Sequence, residues 1–310
     1  MPELTVVVPT KDRPRLLARA LGSVLPQLGD GEVVVVDDGS TDENAGAVRE
    51  ACGGDRRIRL LRNPSSLGPS PARNRGVAAA EGRFLCILDD DNAWLPRKWP
   101  AQRALLERAG WAPDVIAVMS VRRVDAPELR PNDRPHVTEP ERIAALDELM
   151  RRVSPRVFLT TFAMPRRLFE DLGGYDERMR WGEHTDLLIR AARVARFAGT
   201  AEIGVVEDKQ HEEAHWRAGR NYAARVDGIR LLLEKHPEAF ASSPRLRAAY
   251  LDVMGIAQVR SGDPRGAAAT FREVLRTAPD PRRRLRAAGH LVSAMLRREP
   301  REAAAARGAR

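Results

Sequence analysis

Several absences narrow what this 310-residue chain can be. It contains two cysteines, Cys52 and Cys86, which excludes a disulfide framework. Aromatic residues make up 5% of the sequence and offer few platforms for stacking bases, so we expect no nucleic-acid partner. No apolar run approaches the roughly 18 residues that span a bilayer. The first residues also lack the basic and apolar segments of a signal peptide, so we expect a cytoplasmic protein with at most peripheral membrane contact.

Lysine is scarce as well. Only four lysines occur, so arginine supplies most of the positive charge behind the formal net charge of +9. Because arginine and alanine are frequent along the whole chain, we attribute this charge to overall composition and not to one basic patch. Hydrophobic residues make up 43% of the sequence, enough for a substantial core, and the length suits one large domain plus a smaller unit.

Short apolar runs alternate with helical segments in the first part of the chain. We predict strands at residues 4–8, 32–36, 57–61 and 83–88, separated by helices at 14–24, 42–52 and 72–80. Further along we predict strands at 114–121, 157–164 and 201–206, a loop or lid at 126–141, and a helix at 183–194. This alternation predicts an α/β fold with a mainly parallel sheet flanked by helices.

Aspartates follow several of the predicted strands, namely Asp12, Asp37, Asp38 and the triplet Asp89–Asp91. In sheets of this kind, ligands bind at the carboxyl ends of strands. Three adjacent carboxylates repel one another and are costly to desolvate unless a hard cation neutralises them. Such oxygen ligands suit Mg²⁺ or Mn²⁺, which usually bind together with the phosphates of a nucleotide. The pattern predicts a metal–diphosphate site at this edge of the sheet.

The character of the chain changes after about residue 217, where strand signals vanish. Four helical segments follow, at 224–235, 244–260, 264–277 and 282–296. We therefore predict two domains, 1–216 and 217–310, of which the second is all-helical. Residues 249–278 resemble a single tetratricopeptide-like helical pair, which cannot bury its own faces. We expect these helices to pack on the first domain or to form a homo-oligomer with a second copy.

Short motifs occur in a characteristic order along the first two thirds of the chain. They are Val6–Pro14, Val35–Asp42, Gly68–Gly76, Leu88–Asn92, Gly173–Glu177 and Trp181–Leu187. Over about residues 1–215 the chain thereby resembles family 2 glycosyltransferases with the GT-A fold, a Rossmann-like sheet. The resemblance implies an inverting, metal-dependent transfer of a sugar from a nucleotide-sugar donor, expected to be a UDP-sugar. The acceptor would be a hydroxyl of a glycan, a lipid-linked sugar, a small molecule or a peptide.

The resemblance also implies roles for individual residues on the donor side. Asp89 and Asp91 would bind Mn²⁺ or Mg²⁺, and His211 is a candidate third ligand. Asp38 would accept a hydrogen bond from the base, while Asp89 alternatively contacts the ribose. Arg73, near a helix N-terminus, could face the diphosphate. The full set of candidate donor-binding residues is Pro9, Thr10, Asp12, Asp38, Arg73, Asp89 and Asp90.

The general base is less clear from the sequence, because the family's usual Glu-Asp pair is replaced by Glu183-His184. Three assignments are open, namely Glu183, His184 and Asp186. The unperturbed pKa of histidine, ~6.5, suits a base. However, helical spacing puts Glu183 and Asp186 on about the same face and turns His184 away by about 100°. On that ground we favour Glu183 or Asp186.

Two other functions compete with this one. A nucleotidyltransferase on a similar sheet would have a glycine-rich phosphate loop after its first strand. Residues 9–14, Pro-Thr-Lys-Asp-Arg-Pro, lack glycine, which disfavours that reading. The other alternative is a degenerate, non-catalytic scaffold that binds nucleotide sugar, and His184 at the expected base position is its one support.

Overall fold

The computed structural model describes residues 2–123, 138–143, 148–150, 159–207 and 221–296. The chain divides into two compact units. The first comprises Met1–Ala144, Glu148–Arg178 and Glu183–His215. The second comprises Ala145–Asp147, Met179–Gly182 and Trp216–Arg310. Among the described residues, no helix is both long and apolar enough to cross a bilayer.

An eight-stranded sheet forms the centre of the first unit. Its strands are β1 (Leu4–Thr10), β2 (Glu32–Asp37), β3 (Ile58–Arg62), β4 (Phe84–Ile87), β5 (Asn92–Trp94), β6 (Val115–Arg123), β7 (Phe162–Pro165) and β8 (Arg196–Glu207). The order is β3-β2-β1-β4-β7-β6-β8-β5. The pairs among β3, β2, β1 and β4 are parallel, as is β6 with β8, whereas β7 and β5 pair antiparallel with their neighbours. The predicted α/β class with a mainly parallel sheet is confirmed.

Helices cover the sheet and cross over between its parallel strands. In the first unit they are α1 (Pro14–Val24), α2 (Asp42–Cys52), α3 (Pro69–Ala78), α4 (Lys98–Arg108), α5 (Arg166–Asp171) and α6 (Glu183–Ala192). β1 and β2 are buried along almost their whole length, which explains their continuous valine runs. Helix α3 lies especially close to the sheet. A Cβ added at Gly76 would be 2.3 Å from Val7 Cγ1, so only glycine fits this approach.

The sequence-based prediction lacks four of the described strands and α-helices, namely β5, α4, α5 and a short helix at Pro237–Ala241. The three-residue strand β5 pairs with the end of β8, and α4 follows it. Lys98 opens α4 with its side chain fully buried, where Nζ donates a hydrogen bond to Gln102 Oε1 (2.6 Å) and lies 4.2 Å from the centre of the Trp94 ring. Strand β8 also begins five residues earlier than expected. The predicted loop at 126–141 lies mostly outside the described residues.

Helices make up the described secondary structure of the second unit. They are α7 (Tyr222–Lys235), α8 (Pro237–Ala241), α9 (Pro244–Arg260), α10 (Pro264–Thr277) and α11 (Pro281–Leu296). Helices α9, α10 and α11 share an apolar core that includes Leu251, Phe271 and Val274. The predicted all-helical character of this region is confirmed.

The positive charge of the protein is concentrated in this region, contrary to our expectation of an even spread. Residues 216–310 contain 20 arginines and lysines against nine acidic residues, a formal net charge of +11. Residues 1–215 contain 32 against 34, a net charge of −2. The overall arginine content had concealed this division.

Candidate active site

The acidic turn follows β4, and its middle aspartate is bound to β1. Asp90 is 5% exposed and accepts hydrogen bonds from Thr10 Oγ1 (2.8 Å) and Arg13 Nη1 (3.1 Å). Burial raises the pKa of Asp90 to about 6, against the opposing effects of Arg13 and Thr10. Pro9, half-buried, precedes Thr10 on the same strand. The structure thus brings three of the predicted donor-binding residues together.

Asp91 lies in the most negative part of the turn. Burial and the neighbouring charges of Asp89 and Asp90 raise its pKa to about 7. Glu207, at the end of β8, contributes to the same rise, because β5 pairs Asn92 opposite Glu207. Sequence reasoning missed Glu207, although it is a carboxylate at the end of a strand. A bound cation would relieve this concentration of negative charge.

Arg73 connects the acidic turn to the start of α6. Its guanidinium donates hydrogen bonds to Asp89 Oδ1 (2.7 Å) and to Glu183 Oε1 (3.0 Å). The side chain is 6% exposed, and its Cζ lies 5.4 Å from the centre of the Tyr175 ring. Both carboxylates raise the pKa of Arg73 despite its burial, so this arginine is permanently charged. Its contact with a diphosphate stays a prediction.

Glu183 and His184 form a close pair at the first turn of α6. Glu183 Oε1 lies 3.6 Å from His184 Nε2. Burial alone would raise the pKa of Glu183, but His184 and Arg73 together hold it below its usual value. Burial lowers the pKa of His184, and Glu183 offsets this only in part. At neutral pH the pair is therefore a carboxylate beside a neutral imidazole.

Asp186 occupies a different environment, although it is only three residues from Glu183. Its side chain is completely buried and accepts hydrogen bonds from Arg190 Nη2 (2.6 Å) and Nε (3.0 Å). Arg190 also donates to the carbonyl oxygens of Leu172 and Gly174, which fixes the preceding turn to α6. The geometry therefore separates Asp186 from Glu183 and gives it a structural environment.

Asp12 lies just beyond the carboxyl end of β1. It has a left-handed backbone with φ of 55°, and its Oδ1 accepts hydrogen bonds from Thr41 N (2.7 Å) and Asn44 Nδ2 (3.1 Å). These bonds hold the pKa of Asp12 below its usual value although burial opposes them. Asp12 thus reinforces the N-terminus of α2, where Thr41 is the cap.

Asp38 organises the loop between β3 and α3. Its carboxylate accepts hydrogen bonds from Asn63 Nδ2 (2.7 Å), Ser66 Oγ (2.8 Å), Leu67 N (3.0 Å) and Gly68 N (2.9 Å). These donors lower the pKa of Asp38 against the effect of burial. A carboxylate has about four acceptor sites, so recognition of a base by Asp38 would require a donor from this loop to be shared or displaced.

Comparison with known proteins identifies the family. The sequence model described as Glycosyl transferase family 2 matches residues 5–173, more than half of the chain. The chain belongs to glycosyl transferase family 2. Succinoglycan biosynthesis protein ExoU of Rhizobium meliloti is 30% identical over 203 residues, covering 63% of this chain and 58% of that protein. The GalNAc(5)-diNAcBac-PP-undecaprenol beta-1,3-glucosyltransferase of Campylobacter jejuni is 38% identical over 97 residues, or 31% of each protein.

The chain spans less than two thirds of the length of these relatives. Among solved structures, Staphylococcus aureus TarS 1–349 in complex with UDP-GlcNAc superposes with a TM-score of 0.66 at 17% identity. The alignment covers 94% of this chain and 89% of that one. At this level of identity the likeness establishes the fold, which is GT-A-like.

The donor set around the acidic turn suits a divalent cation. Among the residues that the structure describes, no group of three histidine, cysteine or acidic side chains is already arranged around a cation position. Mg²⁺ and Mn²⁺ sites that include substrate phosphates usually need only one or two protein carboxylates, and Asp89 with Asp91 satisfies that requirement. The raised pKa of Asp91 fits the same role. His211 lies outside the described residues.

Proposed function

We propose that this glycosyltransferase transfers a sugar, with inversion, from a UDP-sugar to a hydroxyl of a lipid-linked glycan in polysaccharide synthesis. The observation that carries the proposal is the Arg73 bridge, because it joins a donor-side carboxylate, Asp89, to an acceptor-side pair, Glu183 and His184. The names of the relatives support the substrates. The Campylobacter enzyme is named for an undecaprenol-linked glycan, and TarS has been solved with UDP-GlcNAc.

On the donor side, Asp89 and Asp91 would hold Mn²⁺ or Mg²⁺. When bound, this ion would neutralise the diphosphate as it leaves. Thr10 and Arg13 keep Asp90 in place, which fixes the backbone of the turn that presents its two neighbours. Asp12 and the loop held by Asp38 would line the nucleoside.

On the acceptor side, we assign the general base to His184, which reverses our preference from the sequence. Asp186 is fully buried against Arg190, and the pairing of Glu183 with Arg73 weakens it as a base. A neutral imidazole can accept the acceptor's proton as the new bond to the anomeric carbon forms and the bond to the diphosphate breaks. The Glu183 carboxylate, 3.6 Å away, would then stabilise the imidazolium.

The base assignment is tested by pH–rate profiles of kcat. We expect His184→Gln to lower kcat about 10²- to 10⁴-fold. His184→Asp, which restores the family's usual pair, should retain more activity and move the acidic limb to lower pH. Glu183→Gln should also move the acidic limb downward, because the carboxylate no longer raises the pKa of His184. Near-normal turnover in His184→Gln together with none in Glu183→Gln would make Glu183 the base.

The donor and metal assignments are tested by calorimetry with UDP, GDP, dTDP and CDP, each with and without Mn²⁺. We expect Mn²⁺-dependent binding of UDP alone, lost in Asp91→Ala. Asp171→Ala removes an exposed carboxylate on α5 and serves as the matched control. Equal binding to Asp91→Ala would remove the metal assignment. Binding of UDP-sugars without either transfer or slow hydrolysis would indicate a non-catalytic scaffold instead.

A further inference from the structure

Helix α11 carries an apolar face that is exposed among the described residues. Leu285 is 77% exposed, Val292 57%, Met295 62% and Leu296 79%. At 3.6 residues per turn, Leu285, Val292 and Leu296 lie within about 40° of one another, with Met295 at one edge. The opposite face, with Ala287 and Ala294, packs into the core of the second unit. Helix α11 is therefore amphipathic, with one apolar face in the core of the second unit and a second apolar stripe exposed.

Arginines lie on both sides of this apolar stripe. Arg282 and Arg286 lie about 60–100° to one side of Leu285, and Arg284 lies about 100° to the other. The sequence of α11 contains no acidic residue, and two arginines, Arg297 and Arg298, follow it directly. Positive charge in the first turn of a helix opposes the helix dipole and costs stability. Asp280, just before the helix, offsets part of this charge, since its carboxylate accepts a hydrogen bond from Arg282 N (3.0 Å). An external anionic partner would offset the rest.

We propose that the exposed face of α11 binds the surface of an anionic lipid bilayer. An apolar stripe of leucine, valine and methionine with flanking arginines has the composition of a helix that lies in the membrane interface. The apolar side chains would enter the boundary between headgroups and acyl chains, and Arg282 and Arg286 would contact lipid phosphates. Arg284 Nε already donates a hydrogen bond to the carbonyl oxygen of Ala278 (2.6 Å). The +11 charge of residues 216–310 adds attraction to the same surface.

The charges on α11 disfavour a second copy of the chain as the occupant. Two copies paired through this face would bring together two helices that contain several arginines and no acidic residue, and like charges repel. The stripe from Leu285 to Leu296 is also only about 16 Å long on a helix about 10 Å wide. It covers about 160 Å², well below the roughly 800 Å² that each partner contributes to a stable interface. A lipid surface avoids both problems, because its negative charge attracts the arginines and its lateral extent does not limit the contact to one small protein interface.

The test is co-sedimentation of the full chain with phosphatidylcholine vesicles, with and without phosphatidylglycerol at about one third of the lipid. We expect binding only to the anionic vesicles, weakened by high salt. Leu285→Ser/Val292→Ser/Leu296→Ser should lower the partition coefficient at least tenfold, since it removes the apolar contact. Arg282→Gln/Arg286→Gln should lower it about fivefold per arginine at low salt.

Matched controls remove the same groups elsewhere. Val194→Ser changes an exposed apolar residue of the first unit, and Arg56→Gln/Arg108→Gln removes two exposed arginines there. We expect both to bind vesicles like the wild type. The proposal is overturned if the wild type ignores anionic vesicles, or if the triple-serine variant binds as tightly as the wild type. Sedimentation velocity tests the alternative, in which a second copy of the chain covers the stripe. If the wild type self-associates and does not bind vesicles, and the triple-serine variant is monomeric, the stripe is a dimer interface.

Discussion

Arg73→Met removes the charge that joins Asp89 to Glu183 while preserving most of the apolar stem. In the wild type the guanidinium lies 2.7 Å and 3.0 Å from the two carboxylates and is 6% exposed. Removing one partner from a buried ion pair typically costs about 3–5 kcal/mol, because the remaining charge stays desolvated. We expect a loss of unfolding free energy in this range at about pH 7.5, measured by urea denaturation with a chelator present.

The pH dependence supplies a second check, because Arg73 contributes to the lowered pKa of Glu183. In the wild type its pKa is lowered, so its stabilising effect is present above the unfolded pKa of about 4.3 and is lost as the pH falls. Without Arg73, burial still acts to raise that pKa while the charge and hydrogen bond of the guanidinium are lost, so the pKa of Glu183 should rise and the carboxylate should stabilise the variant less at neutral pH. The difference in unfolding free energy between the wild type and Arg73→Met should narrow toward pH ~4. Arg167→Met, at an exposed ion pair, should cost less than about 0.5 kcal/mol. A gap below ~1 kcal/mol at neutral pH, or one that widens in acid, would refute the reasoning.

Burial lowers the pKa of Lys98 in the folded protein. At pH values between that lowered pKa and the unfolded pKa of about 10.4, the unfolded chain binds one more proton than the folded chain. The free energy of unfolding therefore rises with pH by up to about 1.4 kcal/mol per pH unit. Lys98→Met should lose this slope in urea titrations, and parallel curves would contradict the burial of a neutral amine. Gly76→Ala should cost about 1–3 kcal/mol by overpacking. Gly46→Ala, where a Cβ meets nothing within 4 Å, should be neutral or stabilising by up to about 1 kcal/mol. Equal melting temperatures for the Gly76→Ala and Gly46→Ala variants would contradict the close approach of α3 to the sheet at Gly76. Asp38→Ala should cost about 1–3 kcal/mol and speed amide hydrogen exchange at Leu67 and Gly68, and unchanged exchange there would show that Asp38 does not hold the loop.

Local signals were sufficient for most elements of the fold. Helix α1 begins at Pro14, as predicted from proline's preference for the first helical position, and the valine run at 33–36 predicted a strand buried on both faces. Strand β5 was missed because three residues carry no periodicity. Its hydrogen bonds come from β8, more than a hundred positions further along the chain. Helix α4 was missed partly because a lysine in the core contradicts every hydropathy rule.

The strand-end rule correctly placed the aspartates at one edge of the sheet, but it could not say which charges pair. Arg73 and Glu183 are 110 positions apart, and only the packing of α3 against the sheet brings them together. Asp186 looked equivalent to Glu183 on a helical wheel. Its i,i+4 spacing from Arg190 was the signal that it belonged to a local ion pair, and that signal was overlooked.

Gly76 also affects the position of Arg73, an effect that is separate from its effect on stability. Arg73 and Gly76 are three positions apart and so lie on neighbouring parts of one helix face. The missing side chain at 76 therefore sets how far the arginine's backbone stands from the sheet. Hydrogen bonds of 2.7 Å and 3.0 Å to two separate carboxylates allow only a few tenths of an ångström of error. A methyl group at position 76 would displace α3 and lengthen the hydrogen bonds of Arg73 without changing any charged residue. The protein would still fold, but its candidate active site would be misaligned.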